Sequence, residues 1–348
     1  MTGIQPASPL QVAISKLAHH QPLSADDAAE AFGVIMRGEA SAVQIAAMLA
    51  ALRVNGESSE IVAGVVRALR EVMVHLPATD QASLVDTCGT GGGAVPTFNI
   101  STAAALLAAG AGVRIAKHGN RSFTSKCGSA DVLEALGIAI EVPVTIMAHS
   151  LEVAGIVFMY APLMHPAMRH VGPIRRELGI PTVMNVVGPL ANPAGATRQV
   201  VGVADSYRVP ILAGALAELG TVHAMVVHGE PGLDEISPLG ITRVVEIRDG
   251  STTEWTIDPV DYGLAATDAS ALAGGSPADN ARTIKEVLAG GGSEEARAAV
   301  VLNAAAAIYV SGRVESYAAG VSEARRALEL QTGLAALERL RAATSSLP

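Results

Sequence analysis

Aromatic residues are scarce in this chain: one Trp, five Tyr and four Phe make up 3% of its 348 residues. A platform that stacks nucleic-acid bases is therefore poorly supported, and the core has to be built from Ala, Val, Leu and Ile. Cysteine is nearly absent too. Cys88 and Cys127 lie far apart, with no CxxC or His/Cys companion spacing, so both are expected as reduced thiols rather than as a disulfide or a thiolate metal site. Hydrophobic residues reach 50%, yet no apolar run approaches the roughly 18 residues of a membrane-spanning helix. The longest candidates, 103–113 and 304–310, are too short. The opening MTGIQPASPLQVAISK has no basic stretch leading into an apolar one, so no signal peptide is expected and the cytoplasm is the expected location.

Acid is abundant in total and missing in two places. The 24 Lys and Arg against 33 Asp and Glu give a net charge of −9, which argues against a nucleic-acid scaffold, since duplex binding wants a basic face. From Thr87 to Ala130, however, there is no Asp or Glu, while Arg114, Lys117, Arg121 and Lys126 are present. From Val153 to Ala204 the only acid is Glu177, against Arg169, Arg175, Arg176 and Arg198. An acidic chain with two acid-poor basic segments is suited to receive an anionic small molecule locally.

The first seventy-odd residues have helical spacing and cap signals. Ser24 with Asp26 and Asp27 starts a helix that Gly38 stops, Ser41 with Gln44 forms a capping box closed by Asn55-Gly56, and Ser58 or Ser59 caps a third helix to about Val74. Pro77 and the polar stretch to Ser83 mark a boundary. Beyond it, strand candidates at 83–87, 113–117, 156–160, 182–187, 200–203 and 222–228 alternate with helices at 100–111, 129–136 and 207–219. A short hairpin over 241–257 and helices from about Asp279 complete the chain. Such alternation predicts an α/β domain with a mostly parallel sheet behind a small all-helical N-terminal domain.

Four stretches carry chemistry. In LVDTCGTGGGAVPTFNISTAAALL, residues 84–107, a strand runs into glycines and then a helix for which Asn99 and Ser101 are the expected caps. Glycines let backbone N–H groups turn toward an anion, and a helix N-terminus adds free donors. No Lys-Ser/Thr closes a Walker loop, and the acid that a dinucleotide-binding GxGxxA needs about 20 residues on is missing. A phosphate cradle is the reading, a tight Gly-rich turn the bland alternative. AKHGNRSFTSKCGSADVLEALG, residues 116–137, packs Lys117, His118, Asn120, Arg121, Ser122, Thr124, Ser125 and Lys126 into one loop, with Ser129 placed as N-cap and phosphate donor. Residues 159–196 hold His165, Arg169, His170, Arg175 and Arg176 on an expected helix. Arg suits a two-pronged grip on a carboxylate. In AMVVHGEPGLDEISPLG the adjacent Asp234 and Glu235 follow a strand, and such a pair fits Mg²⁺, which takes a few carboxylate oxygens and completes its shell with water and phosphate. The bland alternative is an acidic turn.

Taken together, GTGG with TFNIST, KHGNRS with CGSADVLEALG, the HPAM segment, NVVGPLANPAGA and HGEPGLDEIS resemble the anthranilate phosphoribosyltransferase family in order and spacing, over about residues 10 to 340. The resemblance implies a fold shared with pyrimidine nucleoside phosphorylases: a helical domain of residues 1–76, joined by helices from about 165–180, and a large α/β domain of 80–348. It implies a homodimer through the helical domains, and Mg²⁺, two ions per subunit. It implies transfer of the 5-phosphoribosyl group of 5-phosphoribosyl 1-diphosphate to the amine of anthranilate in tryptophan biosynthesis, with neither nucleic acid nor membrane as partner. Carried over by position, Gly89, Gly92, Gly93, Thr97, Asn99, Ile100, Ser101 and Thr102, then Lys117, His118, Gly119, Asn120, Arg121, Ser122, Phe123, Thr124, Ser125 and Ser129, resemble the contacts to the diphosphate donor. Gly89, Asn120 and Arg175, with His118 and His165, resemble those to anthranilate, and Ser101, Asp234 and Glu235 the magnesium ligands. Two positions depart from the family: Gly93 stands where an Asp is usual, and Pro181 where an Arg is usual.

The inventory has many anion binders and no convincing nucleophile–base pair, which points to electrostatic and positional catalysis. Two rivals remain at this stage. A phosphorylase or transferase of the same fold with another acceptor is separated by a screen with inorganic phosphate and pyrimidine nucleosides. A nucleic-acid-binding relative without chemistry is separated by its shift with single-stranded DNA.

Overall fold

A computed structural model describes residues 6–122 and 126–345. Four helices open the chain: α1 (Pro9–Ala18), α2 (Ala25–Met36), α3 (Ala42–Asn55) and α4 (Ser59–Val72). Each starts at a serine whose hydroxyl accepts a first-turn N–H, namely Ser8, Ser24, Ser41 and Ser58. Gly56 closes α3 in the left-handed region that a side chain would strain.

The α/β part follows as β1 (Leu84–Gly89), α5 (Ile100–Gly110), β2 (Arg114–Gly119), α6 (Ser129–Ala135), α7 (Val144–Ala154), β3 (Ile156–Tyr160), α8 (Ala161–Met164), α9 (Gly172–Leu178), α10 (Met184–Val187), β4 (Arg198–Gly202), α11 (Val209–Glu218), β5 (His223–Gly229), β6 (Thr242–Arg248), β7 (Ser251–Ile257), α12 (Pro277–Leu288), α13 (Glu294–Val310), α14 (Tyr317–Glu329) and α15 (Thr332–Ser345). The seven strands form one sheet in the order β3-β2-β1-β4-β5-β6-β7. Strands β1 to β5 pair in parallel, whereas β6 and β7 add an antiparallel hairpin.

Both faces of the sheet are covered, and alternation along the strands sorts their side chains. Val200, Met225, Val227 and Val244 face α5 and α13, while Val201, Ala224, Val226 and Val245 face α4 and α11. Beyond its charged first turn, helix α13 is buried along its whole length and apolar all round except for Asn303, as a helix inside a core must be. The cluster on the other face runs without a break from α1–α4 through Ala167, Val171 and residues 183–191 to the sheet, so the segments between β3 and β4 pack with the N-terminal helices. Among the described residues no helix is long and apolar enough to cross a membrane.

Three local expectations are corrected. Residues 182–187 do not form a strand. Thr182, Val183, Met184, Val186 and Val187 are buried and Asn185 exposed, which is helical spacing and not strand alternation, and the Asn185 side chain accepts the Thr182 N–H at 3.0 Å, closing a turn. Residues 165–176 are not one helix: Pro166 and Pro173 divide them into a 3-10 turn (Pro166–His170) and α9. Ser129 is not the cap of α6, because Gly128 takes that place and the Ser129 hydroxyl donates to the Asn120 carbonyl at 3.3 Å.

Candidate active site

The chain runs from β1 outward to β2 and β3, then returns to β4 on the other side of β1. The crevice at such a switch point, outside the carboxyl ends of the strands, is where open α/β sheets bind ligands. The glycine loop follows β1, the basic loop follows β2, and the acidic pair lies in the β5–β6 connection, so the three converge there.

In the glycine loop Gly91 and Gly92 have φ of 71° and 81°, a backbone that side chains rarely adopt. The Gly91 N–H, so turned, donates to Asp234 Oδ2 at 2.8 Å. Asn99 is the first cap residue of α5, but its side chain caps nothing. Its amide donates to the Cys127 carbonyl at 3.2 Å and its oxygen accepts from Asn280 at 2.9 Å, so it ties the basic loop to α12. Nor does the Ser101 side chain cap the helix; its N–H donates to Glu235 Oε1 at 3.1 Å, and its hydroxyl lies 3.3 Å from Lys117 Nζ. Thr97 bridges to Ala273, while Ile100 and Thr102 are buried in the core below.

Lys117 points inward from β2, 3% exposed, and donates to the Thr87 carbonyl. Burial lowers its pKa, and the nearby Asp86 and Glu235 oppose that. Asp86, wholly buried, is pushed up to about 6 by burial against the pull of Asn192 and Lys117. It accepts from the Asn192 amide at 2.7 Å and the His118 N–H at 3.2 Å, which pins the end of β2 to the NVVGPLANPAGA turn. Burial, first among the causes, pulls His118 down to about 3 and His165 to about 4. Both rings are neutral at pH 7 and lie tilted with centroids 4.8 Å apart.

Gly119 is where the basic loop leaves β2, and a Cβ there would stand 2.2 Å from the Ser129 hydroxyl. The Asn120 side chain accepts the Arg121 N–H at 2.8 Å. The Arg121 guanidinium is bonded to Asp131, Glu134 and the Tyr160 hydroxyl, which anchors the start of the loop. Ser122 donates its N–H to Asp131 at 3.2 Å. The expected contacts at Phe123, Thr124 and Ser125 lie outside the described residues. Arg175, half-buried on α9, reaches the Asn185 side chain at 3.3 Å.

Asp234 and Glu235 are half-buried, and crowding by protein raises both pKa values, Glu235 also through its neighbour Asp234. Two carboxylates with one hydroxyl and too little compensating charge suit a hard cation such as Mg²⁺. Among the described residues no three His, Cys, Asp or Glu gather where they could hold a metal ion. At Gly93 a Cβ would stand 3.3 Å from Asp234 Oδ1; Pro181 is exposed and makes no hydrogen bond to this cluster. Asp86, Asn192, Asn280 and Gly202 escaped the sequence reading, although an acid within the apolar strand LVDT was a signal for the first. Cys88 and Cys127 are not joined in a disulfide.

Comparison with known proteins matches residues 11–73 to the helical bundle domain of a glycosyl transferase family and residues 81–336 to the α/β domain of that family. The chain is similar to the anthranilate phosphoribosyltransferase of Rubrobacter xylanophilus, 50% identical over 95% of this chain and 96% of that one. It is also similar to that of a Roseiflexus species, 46% identical over 95% and 97%. Among solved structures it resembles anthranilate phosphoribosyltransferase from Thermus thermophilus, with TM-score 0.90, 40% identity and 96% and 99% coverage. It likewise resembles the Saccharomyces cerevisiae enzyme in complex with PRPP and Mg, with TM-score 0.87, 30% identity and 97% and 98% coverage.

Proposed function

The chain belongs to the anthranilate phosphoribosyltransferase family, and from that premise we infer that it transfers the 5-phosphoribosyl group of 5-phosphoribosyl 1-diphosphate to the amine of anthranilate, releasing diphosphate, as a step of L-tryptophan biosynthesis. The observation that carries the reading is the meeting of the glycine loop, the inward Lys117 and the Asp234–Glu235 pair at one crevice. A cytoplasmic location remains the expectation for such a step.

The donor's diphosphate sits against Gly89, Gly92, Gly93 and the N-terminal turn of α5, where backbone N–H groups and the helix dipole favour an anion. Asn120 contributes contacts to both the donor and anthranilate. Mg²⁺, proposed as two ions per subunit at Asp234, Glu235 and Ser101, supplies counter-charge to the diphosphate when bound. Lys117, fixed below Ser101, adds positive charge from the protein as negative charge grows on the leaving group. Arg175 grips the carboxylate of anthranilate, and the neutral His118 and His165 line its approach without competing for that carboxylate as cations. An aniline nitrogen is weakly basic and presents its lone pair unassisted, so holding it in line with C1 is the main task left to the protein. The helical unit, residues 1–76 with the 165–180 segments, forms the far wall.

A homodimer is part of the proposal. Helix α3 leaves Val43 and Val54 uncovered, 78% and 80% exposed, with Ala46, Ala47 and Ala50 half-buried between them on the same face, an apolar stripe suited to a second copy. The test of function is the loss of anthranilate fluorescence on adding the diphosphate donor with Mg²⁺. No loss at either low or high magnesium overturns the reading.

A further inference from the structure

The segment that carries Asp234 and Glu235 has no regular structure of its own, yet its backbone is held from two sides. On one side three neighbouring strands end in glycine. A Cβ on Gly202 would stand 1.8 Å from the Asp234 carbonyl oxygen, one on Gly89 2.4 Å from Asp234 Oδ2, and one on Gly229 2.5 Å from the Glu235 carbonyl oxygen. The loop therefore lies flush on the strand ends, where any side chain would lift it.

On the other side is Asn303, in the middle of α13 and 3% exposed. Its oxygen accepts the Ile236 N–H at 2.9 Å, and its amide donates to the Ile236 carbonyl at 2.9 Å. A third bond, from the amide to the Ala299 carbonyl at 2.9 Å, fixes the rotamer against its own helix. One side chain thus satisfies both backbone groups of the residue that follows Glu235, as a paired strand would. An asparagine in the run VVLNAAAAIYV is a poor helix former and a buried polar group. These bonds account for its presence there. Asn303 also borders, with Thr87, Ser101 and Glu235, a cavity of about 10 Å³.

We propose that Asn303 is a positioning residue for the divalent-cation site: from the rigid core helix it sets the backbone of the Asp234–Glu235 segment so that both carboxyls meet the ion accompanying the diphosphate. This rests on the transferase reading above. The probe is Mn²⁺ titrated into the purified full-length chain with inorganic diphosphate, bound ion being read from loss of the free-Mn²⁺ electron paramagnetic resonance signal, beside steady-state kinetics.

Asn303→Leu is expected to raise the Mn²⁺ concentration for half-saturation about ten-fold or more, the size of effect seen for groups that orient metal ligands. The KM for the diphosphate donor rises with it, while the KM for anthranilate and kcat at saturating Mg²⁺ change less than about three-fold. Gly202→Ala presses on the same loop from the opposite side and should reproduce the metal defect, which keeps the idea testable if Asn303→Leu does not fold. A wild type that turns over anthranilate, beside folded variants that bind Mn²⁺ equally well or lose all kinetic constants together, overturns the inference alone. A wild type with neither turnover nor Mn²⁺–diphosphate binding overturns the transferase reading as well.

Discussion

Glu235 Oε1 accepts the Ser101 N–H at 3.1 Å, so the first turn of α5 holds a carboxylate of its own protein where the glycine loop and helix dipole favour an anion. Asp234 does the same for Gly91 at 2.8 Å. The acidic pair lies against the phosphate cradle, and a diphosphate entering there meets two carboxylates whose charge has to be neutralised.

Asp234→Asn combined with Glu235→Gln therefore should remove magnesium-supported turnover, by roughly 10²-fold or more. Both changes preserve shape and keep one acceptor oxygen at each residue, so folding should survive, as circular dichroism would register. Steady-state rates at rising Mg²⁺ that match wild type would refute the assignment.

Gly93→Asp restores the carboxylate usual in the family beside Asp234. Its φ is outside the left-handed region, and the added Cβ meets the Gly232 carbonyl oxygen at 3.1 Å, tight but tolerable. An added oxygen ligand should lower the Mg²⁺ concentration for half-maximal rate, by about three- to ten-fold. A shift the other way would mean that carboxylate repulsion dominates.

Arg175→Ala removes the proposed carboxylate grip. Loss of one charge-assisted hydrogen bond of about 1.5–3 kcal/mol corresponds to a rise of about ten-fold or more in the KM for anthranilate, with kcat little changed. Asn185→Ala, which frees the guanidinium it holds at 3.3 Å and also loses the bond from the Thr182 N–H but leaves the charge in place, should do less. An unaltered KM in Arg175→Ala removes it from the acceptor site.

His118 and His165 predict an acid-sensitive fold. Their folded pKa values, about 3 and about 4, lie below the ordinary 6.5. As pH falls below 6.5, only the unfolded chain takes up their protons. Their contribution to stability is therefore complete above pH 6.5 and is lost toward the folded values, at about 1.4 kcal/mol per pH unit for each ring. Urea unfolding at pH 7, 6 and 5 should show this fall, and His165→Gln should shallow the slope by about one proton. An identical slope in that variant would contradict the burial argument.

Val54→Glu with Ala47→Glu puts charge on the uncovered stripe of α3. Light scattering should give twice 35.4 kDa for the wild type and 35.4 kDa for the variant. A monomeric wild type at micromolar concentration sinks the dimer.

Much of this was legible because it is local. The serine caps of α2, α3 and α4 formed as read, since a hydroxyl and the N–H groups it caps lie within one turn. The hairpin over 241–257 and the parallel strands were visible in alternation and in β-branched runs. The same habit misreads 182–187 as a strand, although its β-branched residues stand at helical spacing, and it gives Asn99 and Ser101 capping roles. In the folded chain their polar groups are drawn to Cys127, Asn280 and Glu235, partners far along the sequence.

What the sequence determined by itself is therefore the inventory and its chemistry: an acid-free glycine loop, a basic loop, an acidic pair and arginines enough to hold an anionic substrate. Only the tertiary structure decided which of them meet and which are spent elsewhere. Arg121, read as a donor contact, folds with its guanidinium bonded to Asp131 and Glu134, whereas Asn303, on which the sequence prompted no reading, folds against both backbone groups of Ile236. The physical reason is that a hydrogen bond or ion pair is set by distance in space: the partners lie 10 and 13 residues apart at Arg121–Asp131 and Arg121–Glu134, but 67 at Asn303–Ile236 and 143 at Gly91–Asp234.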